Sequence, residues 1–137
     1  MKLRLPVEEF TTPNPITATE DMSIDEVLRS MTGHGVRHMP VMRGNEVVGV
    51  ISDRDLRLAR GLSDEHKFQV RAADIMSAEP VAVTADMPLD EVALAMSERK
   101  IGSVIVNERD GTLLGIFTVT DALNALIEIT RASVRGR

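Results

Sequence analysis

The sequence predicts a mixed α/β (α+β) fold made of two β-α-β-β-α repeats. Shifted against itself by 65 residues, Pro15–Val41 aligns with Pro80–Val106, and nine of those 27 positions are identical. Average residue frequencies give about one or two. The identities are Pro15/Pro80, Thr19/Thr84, Asp21/Asp86, Met22/Met87, Asp25/Asp90, Glu26/Glu91, Val27/Val92, Met31/Met96 and Val41/Val106. One residue is then inserted, so that Gly49–Asp55 (GVISDRD) falls on Gly115–Asp121 (GIFTVTD) at a shift of 66. With 137 residues, the chain has room for one core and not for two generous ones, so the copies are expected to share it.

Each copy opens on a short extended piece, Pro15–Thr17 or Pro80–Val83. A helix follows, because Ile24, Val27, Leu28 and Met31 in the first copy and Leu89, Val92, Ala93 and Met96 in the second recur at helical spacing, which sets one apolar stripe per helix toward the core. Gly33 and Gly35 are expected to stop the first helix, and Pro88 suits the opening turn of the second. Two strands come next, 39–42 and 47–52 across Gly44-Asn45, then 103–106 and 113–118 across Asp110-Gly111. These are hairpin signals. A last helix runs from Asp53 to about Arg60 and from Val119 to about Thr130, the longer one with Leu123, Leu126 and Ile127 on one face. The expected division is repeat 1 over residues 7–60, a polar linker over 61–70, repeat 2 over 71–130 and a frayed tail over 131–137.

Composition removes several functions. Hydrophobic residues make up 43% and charged residues 27%, an ordinary globular balance. With no cysteine there is neither a disulfide framework nor a thiolate nucleophile nor a Cys-ligated metal site. No apolar leader or membrane-length run is present, so the cytoplasm is the expected compartment. A net charge of -5 argues against nucleic acid and anionic membrane as partners. A small anion could still find a local basic pocket.

The order of elements and the motifs PIT, VRHMPV and GVISDRD, followed by DIMSAEPVAV, IGSVIV and GIFTVTD, resemble a tandem pair of cystathionine β-synthase (CBS) domains, or Bateman module, over Val7–Ile129. The resemblance implies two three-stranded sheets packed about a pseudo-twofold axis, helices outside, two ligand clefts between repeats, and a disc-like homodimer. It also implies an adenosine-containing ligand: AMP, ADP or ATP first, with NAD or S-adenosylmethionine as further candidates. No catalytic cofactor is implied.

The residues themselves have the chemistry for such a ligand. Gly49 and Gly115 permit close backbone approach, and Ser52 and Thr118 stand where a strand turns into a helix. Helix N–H groups and a hydroxyl there favour phosphate. Asp55 and Asp121, three residues on, can accept both hydroxyls of a ribose, and family members use the matching Asp that way. S-x-x-D and T-x-x-D are equally capping boxes, in which the acid satisfies a backbone N–H. Finding the pattern twice, each time after a glycine and in a repeat resembling nucleotide binders, favours ligand contact at one site or both.

The expected ligand-binding set is Ile16, Thr17, Val36, Arg37, His38, Met39, Pro40, Ser52, Arg54 and Asp55 in the first copy. In the second it is Val81, Ala82, Ile101, Gly102, Ser103, Thr118, Thr120 and Asp121. Apolar residues flanking the strands, among them Val50, Ile51, Ile116 and Phe117, could sandwich a purine, although most are expected in the core. In the family, base selection comes from main chain near Thr17 and Ala82. Arg37, His38 and Arg54 stand where the second copy has Gly102, Ser103 and Thr120, so the first site is expected to prefer a phosphate-bearing ligand.

Other signals carry less. His34 and His38 have i, i+4 spacing, but Gly33, Gly35 and Pro40 argue against a helix there, so no metal is expected. Asp21, Asp25 and Glu26, like Asp86, Asp90 and Glu91, suit a first helical turn. The eight methionines are expected as core filling. No Walker or Rossmann loop and no catalytic triad can be assembled, so no enzyme is expected. The reading is a stand-alone regulatory module acting on its own dimer or an unidentified protein. The alternative is a dimerisation scaffold with vestigial clefts.

Overall fold

The computed structural model describes residues 4–61 and 69–135. Most of the predicted linker, residues 62–68, lies outside the described residues. The chain forms two compact units, each built around one copy of the aligned repeat. The first is Pro15–Pro80, and the second joins the residues up to Asn14 with those from Val81 onward.

In the first unit β2 (Ala18–Thr19) leads to α1 (Ile24–His34), the hairpin β3 (His38–Arg43) and β4 (Glu46–Ser52), α2 (Asp53–Ala59), α3 (Ala72–Ile75) and β5 (Ser77–Ala78). The sheet order is β2-β3-β4-β5, with β2 parallel to β3 and the other pairs antiparallel. The first strand lies just beyond its expected Pro15–Thr17, because it is Ala18 and Thr19 that pair with Val41 and Met42.

Ser23 starts α1 by accepting the Glu26 N–H at 3.2 Å on its Oγ. The helix passes through Gly33 and ends at His34, and Gly35 closes it in the left-handed conformation at φ 65°. At the equivalent end of the Leu89–Arg99 helix in the second unit, Lys100 takes the same conformation at φ 56°, so the chain makes this turn there without glycine. The Thr-x-Asp identities are also structural. Thr19 Oγ1 donates to Asp21 at 2.6 Å, and Thr84 bonds Asp86. These side-chain bonds hold both carboxyls below their ordinary values.

The second unit begins with a 3-10 turn (Val7–Phe10) and β1 (Thr12–Pro13), then resumes with β6 (Ala82–Thr84), α4 (Leu89–Arg99), β7 (Ser103–Asn107), β8 (Leu113–Thr118) and α5 (Val119–Arg135). Its sheet order is β1-β8-β7-β6. Both sheets therefore have four strands rather than three. The fourth is a two-residue piece, β1 or β5, laid on the edge of β8 or β4.

These added pieces show that the duplication reaches further back than the aligned block. Val7 N–H donates to Met87 O at 2.8 Å and Glu8 N–H to Ala85 O at 3.1 Å, while 65 residues later Ala72 N–H donates to Met22 O at 2.8 Å and Ala73 N–H to Glu20 O at 3.0 Å. The stretch before each copy's first strand thus completes the sheet of the other copy. Gly49 and Gly115 face these pieces. A Cβ on Gly115 would run into Thr12 O and stand 2.9 Å from Thr11 Cγ2, and one on Gly49 would meet the Met76 side chain and lie 3.0 Å from Ser77 O. Their close backbone approach is thus to the chain's own arms.

Each unit holds a cluster of buried residues. Val27, Met31, Met39, Val41, Ile51 and Leu56 build the first, and Val7, Val92, Met96, Val104, Val106 and Phe117 the second. The α5 stripe of Leu123, Leu126 and Ile127 faces outward. The helix buries Ala125, whereas Leu123, Leu126 and Ile127 stand 56%, 58% and 44% exposed. It also continues to Arg135, through most of the predicted tail. Among the described residues no helix is long and apolar enough to cross a membrane.

Candidate functional site

In each unit the last long strand runs into a helix without an intervening residue. Ser52 ends β4 and caps α2; Thr118 ends β8 where α5 begins. Both predicted capping boxes are formed. Ser52 N–H donates to Asp55 Oδ2 at 2.8 Å and Asp55 N–H returns to Ser52 Oγ at 3.2 Å. Thr118 N–H donates to Asp121 Oδ2 at 2.8 Å and Asp121 N–H returns to Thr118 Oγ1 at 3.3 Å. The first helical amide is also committed, from Asp53 to Arg37 O at 2.8 Å and from Val119 to Gly102 O at 3.1 Å. Among the described residues only the second amide, of Arg54 or Thr120, has neither a loop nor a side-chain acceptor. Each helix end therefore offers an anion one open N–H, fewer than a bare helix start.

The Asp53–Arg37 bond ties the loop before β3 to the start of α2, and His38 pairs across the ladder with Ser52. Arg37, His38, Ser52, Arg54 and Asp55 thereby gather at one end of the first sheet. Both arginines are exposed, and neither forms an ion pair among the described residues. The same framework gathers Gly102, Ser103, Thr118, Thr120 and Asp121, with no positive charge among them.

The other predicted residues divide by exposure. Ile16 and Val36 lie half-buried against the first core, and Val81 and Ile101 against the second. Thr17 and Ala82 are exposed beside the first strands. Met39 and Pro40 are fully buried, so neither presents surface to a ligand. Val50, Ile51, Ile116 and Phe117 are buried, as most of that group was expected to be.

The two carboxylates differ in what remains open. Asp55 Oδ1 has no partner among the described residues, and the Ser52 hydroxyl, which accepts from Asp55 N–H, retains its proton. Thr118 Oγ1 donates its proton to Asp121 Oδ2 at 3.0 Å, and Asp121 Oδ1 accepts from Thr12 Oγ1 at 3.1 Å. Thr12 is the site residue that sequence reasoning missed. It precedes the aligned repeat block and reaches Asp121 only through the β1–β8 pairing.

Burial holds the His38 imidazole below its ordinary 6.5, Asp55 and Asp53 oppose that shift, and Arg37 reinforces it. The unfolded chain therefore binds a proton near pH 6.5 that the folded chain refuses, so stability is expected to rise with pH in this range. The contribution of neutral His38 is complete above 6.5 and is lost as the pH falls from there through the lowered folded value. Melting curves of wild type and His38→Gln between about pH 7 and 5 check this: the variant should show the shallower slope, and equal slopes contradict it.

Two capped strand-to-helix junctions recur in a duplicated mixed α/β framework, which defines a tandem-repeat module. The chain belongs to the CBS domain family, whose model matches residues 7–61 and 72–128. Over 114 residues it is 30% identical to an inosine-5'-monophosphate dehydrogenase of Korarchaeum cryptofilum, covering 83% of this chain and 23% of the dehydrogenase. A CBS domain-containing protein of Dictyostelium discoideum is 26% identical over 137 residues, covering 93% of this chain and 94% of its own. The chain thus spans under a quarter of one relative and nearly all of the other.

Among solved structures, CBSX2 of Arabidopsis thaliana, seen in complex with AMP, superposes with a TM-score of 0.77 at 27% identity, covering 91% of this chain and 98% of the other. The CBS domain pair of protein MJ0100, in complex with 5'-methylthioadenosine and S-adenosyl-L-methionine, gives 0.79 at 26%, covering 93% and 99%. The chain is thus a CBS pair homologous to proteins that bind adenosine compounds.

Proposed function

We propose that the chain is a regulatory CBS pair that binds an adenosine-containing nucleotide through the Asp55 group of its first unit. AMP, ADP and ATP rank ahead of NAD and S-adenosylmethionine. The observation that carries the reading is Asp55 Oδ1, open among the described residues, beside two guanidinium groups that form no ion pair among those residues. Ribose hydroxyls donate to that oxygen. Phosphate takes the Arg54 N–H, the Ser52 hydroxyl and the charges of Arg37 and Arg54. Ile16 and Val36 flank the base, whose edge meets main chain near Thr17. Support comes from the AMP complex of CBSX2 and the adenosine-compound complex of MJ0100.

The proposal gives the chain no reaction of its own. Its regulatory output is a change in a homodimer or in a second protein, no larger than the ligand's preference for one state over the other. The exposed Leu123, Leu126 and Ile127 of α5 favour association. Together with the satisfied capping boxes, that face also supports a second reading, a dimerisation scaffold with vestigial ligand sites.

A thermal-shift panel separates the two. A ligand at about a hundred times its Kd that binds only the folded form adds about 2.7 kcal/mol, which raises the melting temperature by several degrees. AMP or ATP is expected to give such a rise, with NAD and S-adenosylmethionine tested alongside. No rise with any of them supports the scaffold.

A further inference from the structure

Thr12 lies on the two-residue strand β1, held in place by the pairs Thr12↔Ile116 and Pro13↔Gly115. The arm before it is anchored independently: Val7 is fully buried, Thr11 Oγ1 donates to Val7 O at 2.8 Å, and Leu89 N–H donates to Leu5 O at 2.7 Å. The arm itself is therefore fixed, while the Thr12 side chain, on the exposed surface, is free to change rotamer. Its hydroxyl occupies Asp121 Oδ1 at 3.1 Å, the oxygen that Thr118 leaves open. The counterpart in the first unit is Ser77, which pairs with Val50 as Thr12 pairs with Ile116. No Ser77 bond to Asp55 forms, and among the described residues Asp55 Oδ1 stays open.

We propose that Thr12 is an intramolecular gate on the second unit's nucleoside site, its hydroxyl standing where a ribose hydroxyl must donate to Asp121. The inference rests on reading the Asp55 and Asp121 carboxylates as ribose acceptors. A nucleoside gains Asp121 only by turning Thr12 to another rotamer, so this site binds more weakly than the site at Asp55. No segment of backbone has to move. The two units thus respond at separate ligand concentrations, and one hydroxyl sets the interval between them.

The test is calorimetric titration of the full chain with adenosine in an Asp55→Ala background, which leaves the second site to be read alone. Thr12→Val keeps the β-branched shape and removes the hydroxyl, and is expected to tighten adenosine binding about fivefold, the worth of one ordinary hydrogen bond. Thr12→Ser keeps the hydroxyl and should leave affinity within about twofold of the Asp55→Ala parent. Should valine disturb β1, Thr12→Ala makes the same removal. Unchanged or weaker binding in the hydroxyl-free variants overturns the gate, as does the absence of any adenosine binding in them. If otherwise wild-type protein binds nucleotide at Asp55 while the Thr12 variants show no gain, only the gate falls. A wild-type chain that binds no adenosine compound overturns the parent reading and the gate together.

Discussion

Gly115→Ala is expected to destabilise the chain by about 3 kcal/mol, and Gly49→Ala by about 1 kcal/mol, although the two glycines are repeat equivalents. Each sits in the sheet where the arm that completes it crosses. At Gly115 the added methyl runs into Thr12 O and stands 2.9 Å from Thr12 C. That backbone is held by the β1–β8 pairing and by the Asn14 N–H to Leu114 O bond of 3.2 Å. To relieve the clash, β1 must leave the sheet edge. At Gly49 the nearest atoms belong to the Met76 side chain, which can take another rotamer, while Ser77 O is 3.0 Å away. Urea unfolding of both variants measures the difference. Equal losses would mean that the Thr12 backbone yields as easily as a methionine side chain.

Asp55→Ala is expected to weaken AMP binding about a hundredfold, because two hydrogen bonds from ribose to a charged acceptor are lost together. The same change in the second unit, Asp121→Ala, should leave this event nearly untouched. The basic groups Arg37 and Arg54 belong to the first unit, and Asp121 has both oxygens committed to Thr118 and Thr12. Alanine also removes the bond from Ser52 N–H, the reciprocal half of the α2 capping box, at a cost of about 1 kcal/mol, so Asp55→Asn provides the control. Its amide oxygen can still accept from Ser52 N–H but carries no charge, and an intermediate affinity is expected with the fold retained. Calorimetric titration with AMP checks all three. Loss of binding in Asp121→Ala with none in Asp55→Ala would reverse the assignment.

Much of this was legible in the residues. Helical spacing located Val27 and Met31 in one copy and Val92 and Met96 in the other, all of them buried. Gly44-Asn45 marked the first hairpin, and the S-x-x-D and T-x-x-D patterns marked two capped helix starts. Such features depend on residues within a few positions of one another, where local sterics and hydrogen bonding decide the outcome. The α5 stripe was legible as a pattern but not in its direction. Alanines and leucines alternate around that helix, and only packing decided that Ala125 goes inward and Leu126 outward.

Sequence alone determined the duplication, the order of elements, the two carboxylates and the surplus of positive charge beside the first. All of these are properties of residue identity and short spacing. Tertiary structure decided that each arm completes the other copy's sheet, that Gly49 and Gly115 make room for those arms, and that Thr12 reaches Asp121 across 109 positions. The physical reason is that a two-residue strand has too few bonds to announce itself locally. It forms because a distant sheet edge has unpaired groups to receive it, and residue order does not display that edge until the chain has folded.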